Sequence, residues 1–151
     1  IFANYSKENL KHFVSVIVKN IRDNIVNESV LIDSKSFSVI NKEFVLKSET
    51  GKTQKILTLQ SVKFSQSTIF LSLSAEVFSD YYRLLKKTGK IVIPVSCSLG
   101  NIGYIPTVKE SDLGGYEVEK AALNNGMDGR ISTKCLNNLE NFILDLSKMS
   151  W

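Results

Sequence analysis

Glu76, Tyr104 and Tyr116 are the residues of this sequence whose side chains and surroundings best suit chemistry. A carboxylate such as Glu76 can ligate a metal ion or act as a general base. A phenol can also ligate a metal, or it can donate a hydrogen bond to an oxyanion as the negative charge forms. Gly114-Gly115 permits close approach of the backbone and Pro106 stiffens it, so this stretch suits a pre-organised site.

Each of these residues also has a purely structural interpretation. Glu76 on its own is more typical of an acid in the first turn of a helix, where it complements the helix dipole. Tyr104 and Tyr116 can bury their rings and hydrogen bond their hydroxyl groups within the fold. The neighbouring glycines can serve tight turns. The case for a site therefore depends on whether the fold brings the three side chains together.

The other chemistry-bearing residues do not form a site of their own. His12 is the only histidine and lies within a helix pattern, so we expect neither a Ser-His-Asp arrangement nor a metal cluster of His and Cys. For Cys97 and Cys135 the sequence favours buried free thiols, with a single disulfide as the less favoured alternative. As a self-sufficient hydrolase, the chain is expected to be incomplete.

Composition predicts one packed domain rather than a disordered chain. The 151 residues are 43% hydrophobic and 23% charged, which is ordinary for a globular domain. The net charge of +4 comes from dispersed Lys and Arg residues, so no basic stripe for nucleic acid is present. No apolar run approaches the roughly 18 residues that a transmembrane helix needs.

The periodicity of apolar residues predicts the elements that must position the site. Steps of three and four residues between apolar positions predict two amphipathic helices. The first spans 10–25, with Ser6 as its N-cap, and the second spans 131–149. Apolar and β-branched runs predict strands at 36–46, 55–64 and 68–73, the last two joined as an antiparallel hairpin.

A strand-helix-strand crossover follows in the sequence. A helix pattern begins at Val77 and ends at Gly89, and a strand at 91–95 contains Pro94, which is typical of an edge strand. A site forms at the carboxyl ends of such parallel strands, where Glu76 and the loop 100–116 meet. The sequence thus predicts an α/β fold, a mixed sheet with flanking amphipathic helices, in a single domain spanning 1–151.

The stretch from Ser72 to Glu117 resembles the C-terminal half of the catalytic domain of neutral/alkaline (non-lysosomal) ceramidases. In that family a Pro-Gly-Glu turn precedes a helix and a strand, and a Tyr-Ile-Pro-Thr motif is followed by a Tyr-Glu pair twelve residues after its tyrosine. Here Ser74-Ala75-Glu76 takes the place of the Pro-Gly-Glu turn. Leu99 stands where the family usually has an asparagine, five residues before the first tyrosine. Tyr104 and the pair Tyr116-Glu117 have the family spacing.

The resemblance implies a zinc-dependent amidohydrolase that cleaves the amide of ceramide or a related lipid amide. It implies Glu76 and Tyr104 as zinc ligands and Tyr116 as the catalytic donor to the oxyanion. The remaining zinc ligands, two histidines, would come from an N-terminal half of the same protein, so zinc is expected only when that half is present. The chain would then be the C-terminal portion of a larger catalytic domain, inactive in isolation.

One expectation from the resemblance can be checked by geometry. Two ligands of one zinc ion must approach each other, so a distance above about 8 Å between the Glu76 carboxylate and the Tyr104 hydroxyl would exclude the assignment. The alternative function is a non-catalytic binding or interaction domain that retains the fold without the chemistry.

Overall fold

The computed structural model describes residues 7–27, 38–64, 68–146 and 148. The chain divides into two compact units, 1–32 and 33–151. The first unit contains α1 (Lys7–Asn27), which forms where apolar periodicity predicts a helix. Its apolar side chains between Phe13 and Ile21 are exposed, with Phe13 at 59% and Ile21 at 53%. Ser6, the predicted cap, lies outside the described residues.

The second unit contains the sheet and the remaining helices, and its mixed α/β class confirms the sequence prediction. Its elements, in chain order, are β1 (Ser38–Lys47), β2 (Gln54–Lys63), β3 (Thr68–Leu73), β4 (Glu76–Val77), α2 (Asp80–Lys86), β5 (Ile91–Val95), β6 (Tyr104–Ile105), α3 (Val108–Leu113), α4 (Lys120–Asn124) and α5 (Thr133–Leu146).

The main sheet has four strands in the order β1-β2-β3-β5. β1 pairs with β2 and β2 with β3 antiparallel, whereas β3 and β5 are parallel and are joined through α2. The predicted crossover is therefore confirmed, and Pro94 lies on an edge strand as expected, where its missing N–H leaves no gap in a central ladder. The predicted turn at 65–67 lies outside the described residues.

The core lies between one face of this sheet and the helices α2 and α5. Leu57, Leu59 and Leu71 alternate along the strands and are at most 1% exposed, and Leu139 of α5 packs into the same cluster. Each such leucine contributes roughly 1.5–3 kcal/mol of hydrophobic free energy. This core fixes the strand ends from which the candidate site residues project.

Two element boundaries differ from the prediction. The helix predicted from Val77 begins at Asp80, because Glu76 and Val77 form the short strand β4 instead. The stretch predicted as one loop, 100–116, contains β6 and α3. β4 and β6 exist only through their mutual pairing, and such a tertiary contact leaves no periodic signal in either short segment.

The closing helix α5 is shorter than predicted, running from Thr133 to Leu146. Ile131 instead makes an antiparallel bridge with Ser48 beside the β1–β2 turn. The Ile131 side chain is buried at this bridge. Ile131 fits the apolar period of the helix, but it packs beside the β1–β2 turn instead of extending α5. Met149 lies outside the described residues.

Candidate functional site

Glu76 and Tyr104 are direct neighbours on a small parallel sheet. β4 and β6 pair so that Glu76 lies opposite Tyr104 and Val77 opposite Ile105. The ladder is held by the Glu76 amide, which donates to the Gly103 carbonyl at 3.0 Å. Residues that face each other across a strand pair project to the same side of the sheet. The fold therefore brings together two residues that are remote in sequence.

The pKa of the Tyr104 hydroxyl is raised above its ordinary value, and the causes identify its neighbours. The negative charge of the Glu76 carboxylate is the largest cause, followed by partial burial of the phenol. Glu76 is therefore the main electrostatic influence on the Tyr104 hydroxyl, as expected of residues paired across β4 and β6.

Tyr116 and Glu117 lie close enough to Tyr104 to raise its pKa further. Tyr116 is 56% exposed, so its ring is not buried in the core as the structural interpretation would have it. Glu76 is exposed and precedes α2, whose first-turn acid is Asp80. The three residues singled out by their chemistry therefore meet at one exposed edge, and their individual roles stay predictions.

A tight turn sets the position of Tyr104. Gly103 has φ 107°, and a Cβ atom there would lie 2.7 Å from the Asn125 side chain. The Asn101 side chain accepts a hydrogen bond from the Gly103 amide at 2.9 Å, and the Ile102 amide donates to the Ser74 carbonyl at 2.9 Å. Asn101 thus stabilises the turn two residues from the place where the family asparagine would be expected.

Tyr81 holds the segment that follows Tyr104. Its hydroxyl donates to the Pro106 carbonyl at 3.1 Å, and the side chain is only 2% exposed. Burial, reinforced by the charge of Glu140, raises the pKa of Tyr81 far above its ordinary value. The neutral phenol is therefore a permanent donor. Tyr104 itself is held by a ring contact, because the Phe78 ring packs edge-on against the Tyr104 ring with 6.2 Å between the centroids.

Sequence reasoning missed these supporting residues. In the sequence, Tyr81 fits the apolar face of a helix and Asn125 belongs to a polar, glycine-containing stretch. Their contacts reach Pro106 and Gly103 from distant parts of the chain. A buried tyrosine must satisfy its hydroxyl, and this requirement is the one signal that points to Tyr81 as more than an apolar residue.

The glycine pair before Tyr116 has the backbone freedom that the sequence suggested. Gly114 and Gly115 have φ values of 71° and 110°, a region that residues with a Cβ rarely adopt. A Cβ on Gly114 would also lie 3.0 Å from a Glu119 carboxylate oxygen. That carboxylate accepts a salt bridge from Arg130 at 2.7 Å, which fixes the turn that carries Tyr116.

The zinc ligands that the resemblance assigns to this chain are two oxygens, one each from Glu76 and Tyr104, and this assignment stays a prediction. Within residues 7–27, 38–64, 68–146 and 148 there is no group of three or more His, Cys, Asp or Glu side chains that could hold a metal ion. Cys97 and Cys135 are free thiols, as favoured by the sequence, but the expected burial of Cys97 is wrong because its side chain is exposed.

None of the helices that the structure describes is both long enough and apolar enough to cross a bilayer. Comparison of the sequence with known protein families, with curated proteins and with solved structures found no match. The case for a function therefore rests on the residues and their geometry.

Proposed function

We propose that this chain is the C-terminal part of a zinc-dependent amidohydrolase of the neutral ceramidase type. The observation that carries the proposal is the direct pairing of Glu76 with Tyr104 across β4 and β6. The two residues were matched to zinc ligands by motif alone, and they are neighbours in space. The lipid amide substrate rests on the resemblance of the sequence and on no contact within the structure.

The donor set of the chain fits part of a zinc site. Carboxylate oxygen is a common zinc ligand, and a catalytic zinc also keeps a position for water or substrate, for which its coordination can expand to five. Glu76 and Tyr104 supply one oxygen donor each from paired positions, and the described residues contain no group of three or more His, Cys, Asp or Glu that could hold a metal. Nitrogen ligands from another part of the protein would complete the set, which is consistent with a shared site.

In this proposal, each residue has a distinct task. Zinc, when bound, acts as a Lewis acid that polarises an amide carbonyl and acidifies water. The Glu76 carboxylate and the Tyr104 oxygen would hold the ion, and a cation beside them would favour the Tyr104 phenolate, opposite to the effect of the Glu76 charge. Tyr116, exposed beside them, donates a hydrogen bond to the carbonyl oxygen as negative charge develops there.

Zinc content and amide hydrolysis by the full-length protein test the proposal. Tyr104→Phe should lower both, because it removes one ligand oxygen. Tyr116→Phe should leave the zinc content unchanged and lower kcat by about 100-fold or more, the usual cost of losing one oxyanion donor. Tyr82→Phe is the matched control, since Tyr82 lies on the exposed side of α2. Unchanged zinc content and activity in Tyr104→Phe would instead favour the non-catalytic binding domain.

A further inference from the structure

A cleft of about 330 Å³ lies between α2, the start of α3 and α5. The charged side chains that line it are Asp80, Arg83, Lys87, Lys109 and Glu140. Glu76, Tyr104 and Tyr116 do not line it, so it is separate from the candidate zinc site. Its volume is at the lower end of the range for small-molecule sites.

Asp80 organises the cationic side of this cleft. Its carboxylate, whose side chain is only 8% exposed, accepts from Arg83 Nη1 at 2.8 Å and from Lys109 Nζ at 3.2 Å. Arg83 comes from α2 and Lys109 from α3, so one nearly buried acid draws cations from two helices to one place. The hydrogen bond from Lys109 and the charges of both cations hold the pKa of Asp80 below its ordinary value.

Asp80 is fully paired and Glu140 is hydrogen-bonded through one oxygen, whereas the three cations of the cleft keep free donors. Both oxygens of Asp80 accept a salt bridge, and Glu140 Oε1 accepts from the Val108 amide at 2.6 Å. Arg83 and Lys109 have further N–H donors beyond those directed at Asp80. Among the described residues, the Lys87 ammonium group has no ion-pair partner.

We propose that this cleft binds the phosphate group of a small ligand, held by Arg83, Lys87 and Lys109. A surplus of charged donors over free acceptors selects a ligand that presents only acceptors. Phosphate is such a ligand, since it carries up to two negative charges at neutral pH and its oxygens accept strong charge-assisted hydrogen bonds. Arg83 suits it further because the guanidinium can bind two phosphate oxygens at once.

The test is calorimetric titration of the chain with inorganic phosphate in a phosphate-free buffer, at an ionic strength held constant with chloride. We expect saturable binding that Lys87→Gln weakens about tenfold, the usual loss for one charge-assisted hydrogen bond. Lys87→Gln leaves the salt bridges of Asp80 intact, so it tests the ligand contact without disturbing the fold. Lys86→Gln is the control, because the Lys86 ammonium lies 4.9 Å from the centroid of the Tyr82 ring and should not contribute.

A second probe distinguishes free phosphate from a phosphate monoester. Glycerol 3-phosphate should bind at least as tightly as inorganic phosphate if the cleft receives the phosphate end of a larger molecule, and more weakly if it takes the free ion; either result keeps the phosphate site. Absence of saturable binding by both probes, or an equal loss of affinity in Lys86→Gln and Lys87→Gln, would overturn the proposal. Neither outcome depends on zinc, so failure here is separable from failure of the amidohydrolase.

Discussion

The proton of Tyr104 is controlled by its neighbours. The negative charge of Glu76 is the largest influence on the pKa of the phenol, and Glu117 acts in the same direction. Negative charge nearby disfavours the phenolate, so the Glu76 carboxylate favours the protonated form of Tyr104 in the free chain. A cation placed between the two oxygens would have the opposite effect. The pairing of Glu76 with Tyr104 therefore favours the phenol in the free chain and would supply a ligand pair in the proposed complex.

This arrangement predicts how Tyr104 titrates. Glu76→Gln removes the main negative charge, so the pKa of Tyr104 should fall towards the ordinary tyrosine value of about 10. Ultraviolet absorbance of the phenolate against pH measures it, with Tyr104→Phe used to subtract the other tyrosines. Glu117→Gln should lower the same pKa by less, because Glu117 is a smaller cause of the shift. An equal effect of the two substitutions would contradict the direct pairing of Glu76 and Tyr104.

At the scale of elements, the turn into β6 decides where Tyr104 lies. Gly103→Ala should destabilise the fold by about 1–3 kcal/mol, because a positive φ is costly for alanine and the new Cβ meets Asn125. Chemical unfolding measures the change. Gly129→Ala is the matched control: its φ is not in the left-handed region and no atom lies within 4 Å of the added Cβ. Comparable losses in both variants would show that the geometry of the turn is not the cause.

The contact between α2 and the segment after β6 makes a second prediction at this scale. Tyr81→Phe removes the buried hydroxyl that donates to the Pro106 carbonyl, and an unsatisfied buried group costs about 1–3 kcal/mol. Tyr82→Phe, on the same helix but 49% exposed, should change the free energy of unfolding by less than about 0.5 kcal/mol. Urea unfolding of both variants decides whether Tyr81 anchors this segment.

The elements show what local sequence patterns can and cannot predict. α1, α5, the strands of the main sheet and the crossover each follow from a period of apolar residues. β4 and β6 have two residues each, too few for any period, and form because the crossover brings their segments together. The sequence therefore predicted that Glu76 and Tyr104 share an edge, through the topology rule for parallel strands, but not that they pair directly.

At the scale of the whole second unit, Asp128 joins the turn between β1 and β2 to the segment that leads into α5. Its carboxylate accepts from Thr50 and Thr53, and its amide donates to Thr53 Oγ1 at 3.0 Å. Hydrogen bonds from Ser48, Thr50 and Thr53 hold the pKa of Asp128 far below its ordinary value. In the sequence, Ser48, Thr50 and Thr53 show only the composition of a polar turn. Their hydrogen-bond partner, Asp128, is about 75 residues further along the chain and leaves no local signal.

The depressed pKa gives this network a defined pH dependence. A carboxyl with a lowered folded-state pKa adds stability above the pKa of the unfolded chain, about 3.9, and loses it as the pH falls further. Asp128→Asn should therefore lower the thermal midpoint at pH 7, and the difference from the unsubstituted chain should shrink below about pH 4. Asp112→Asn removes an exposed carboxylate with no hydrogen bond in the described structure and is the control. A difference that persists unchanged at low pH would contradict this role.

The small β4–β6 sheet has one more consequence, which concerns motion. Its ladder rests on few backbone bonds, from the Glu76 amide to Gly103 at 3.0 Å and from the Phe78 amide to Ile105 at 3.4 Å, whereas the main sheet is paired along whole strands. Regions with few protecting bonds open at a lower free energy than the core, so these amides exchange with solvent earlier than those of β2. We therefore expect the distance between the Glu76 and Tyr104 side chains to vary in the free chain. An ion bound by both residues would hold the two strands together and slow the exchange of these amides.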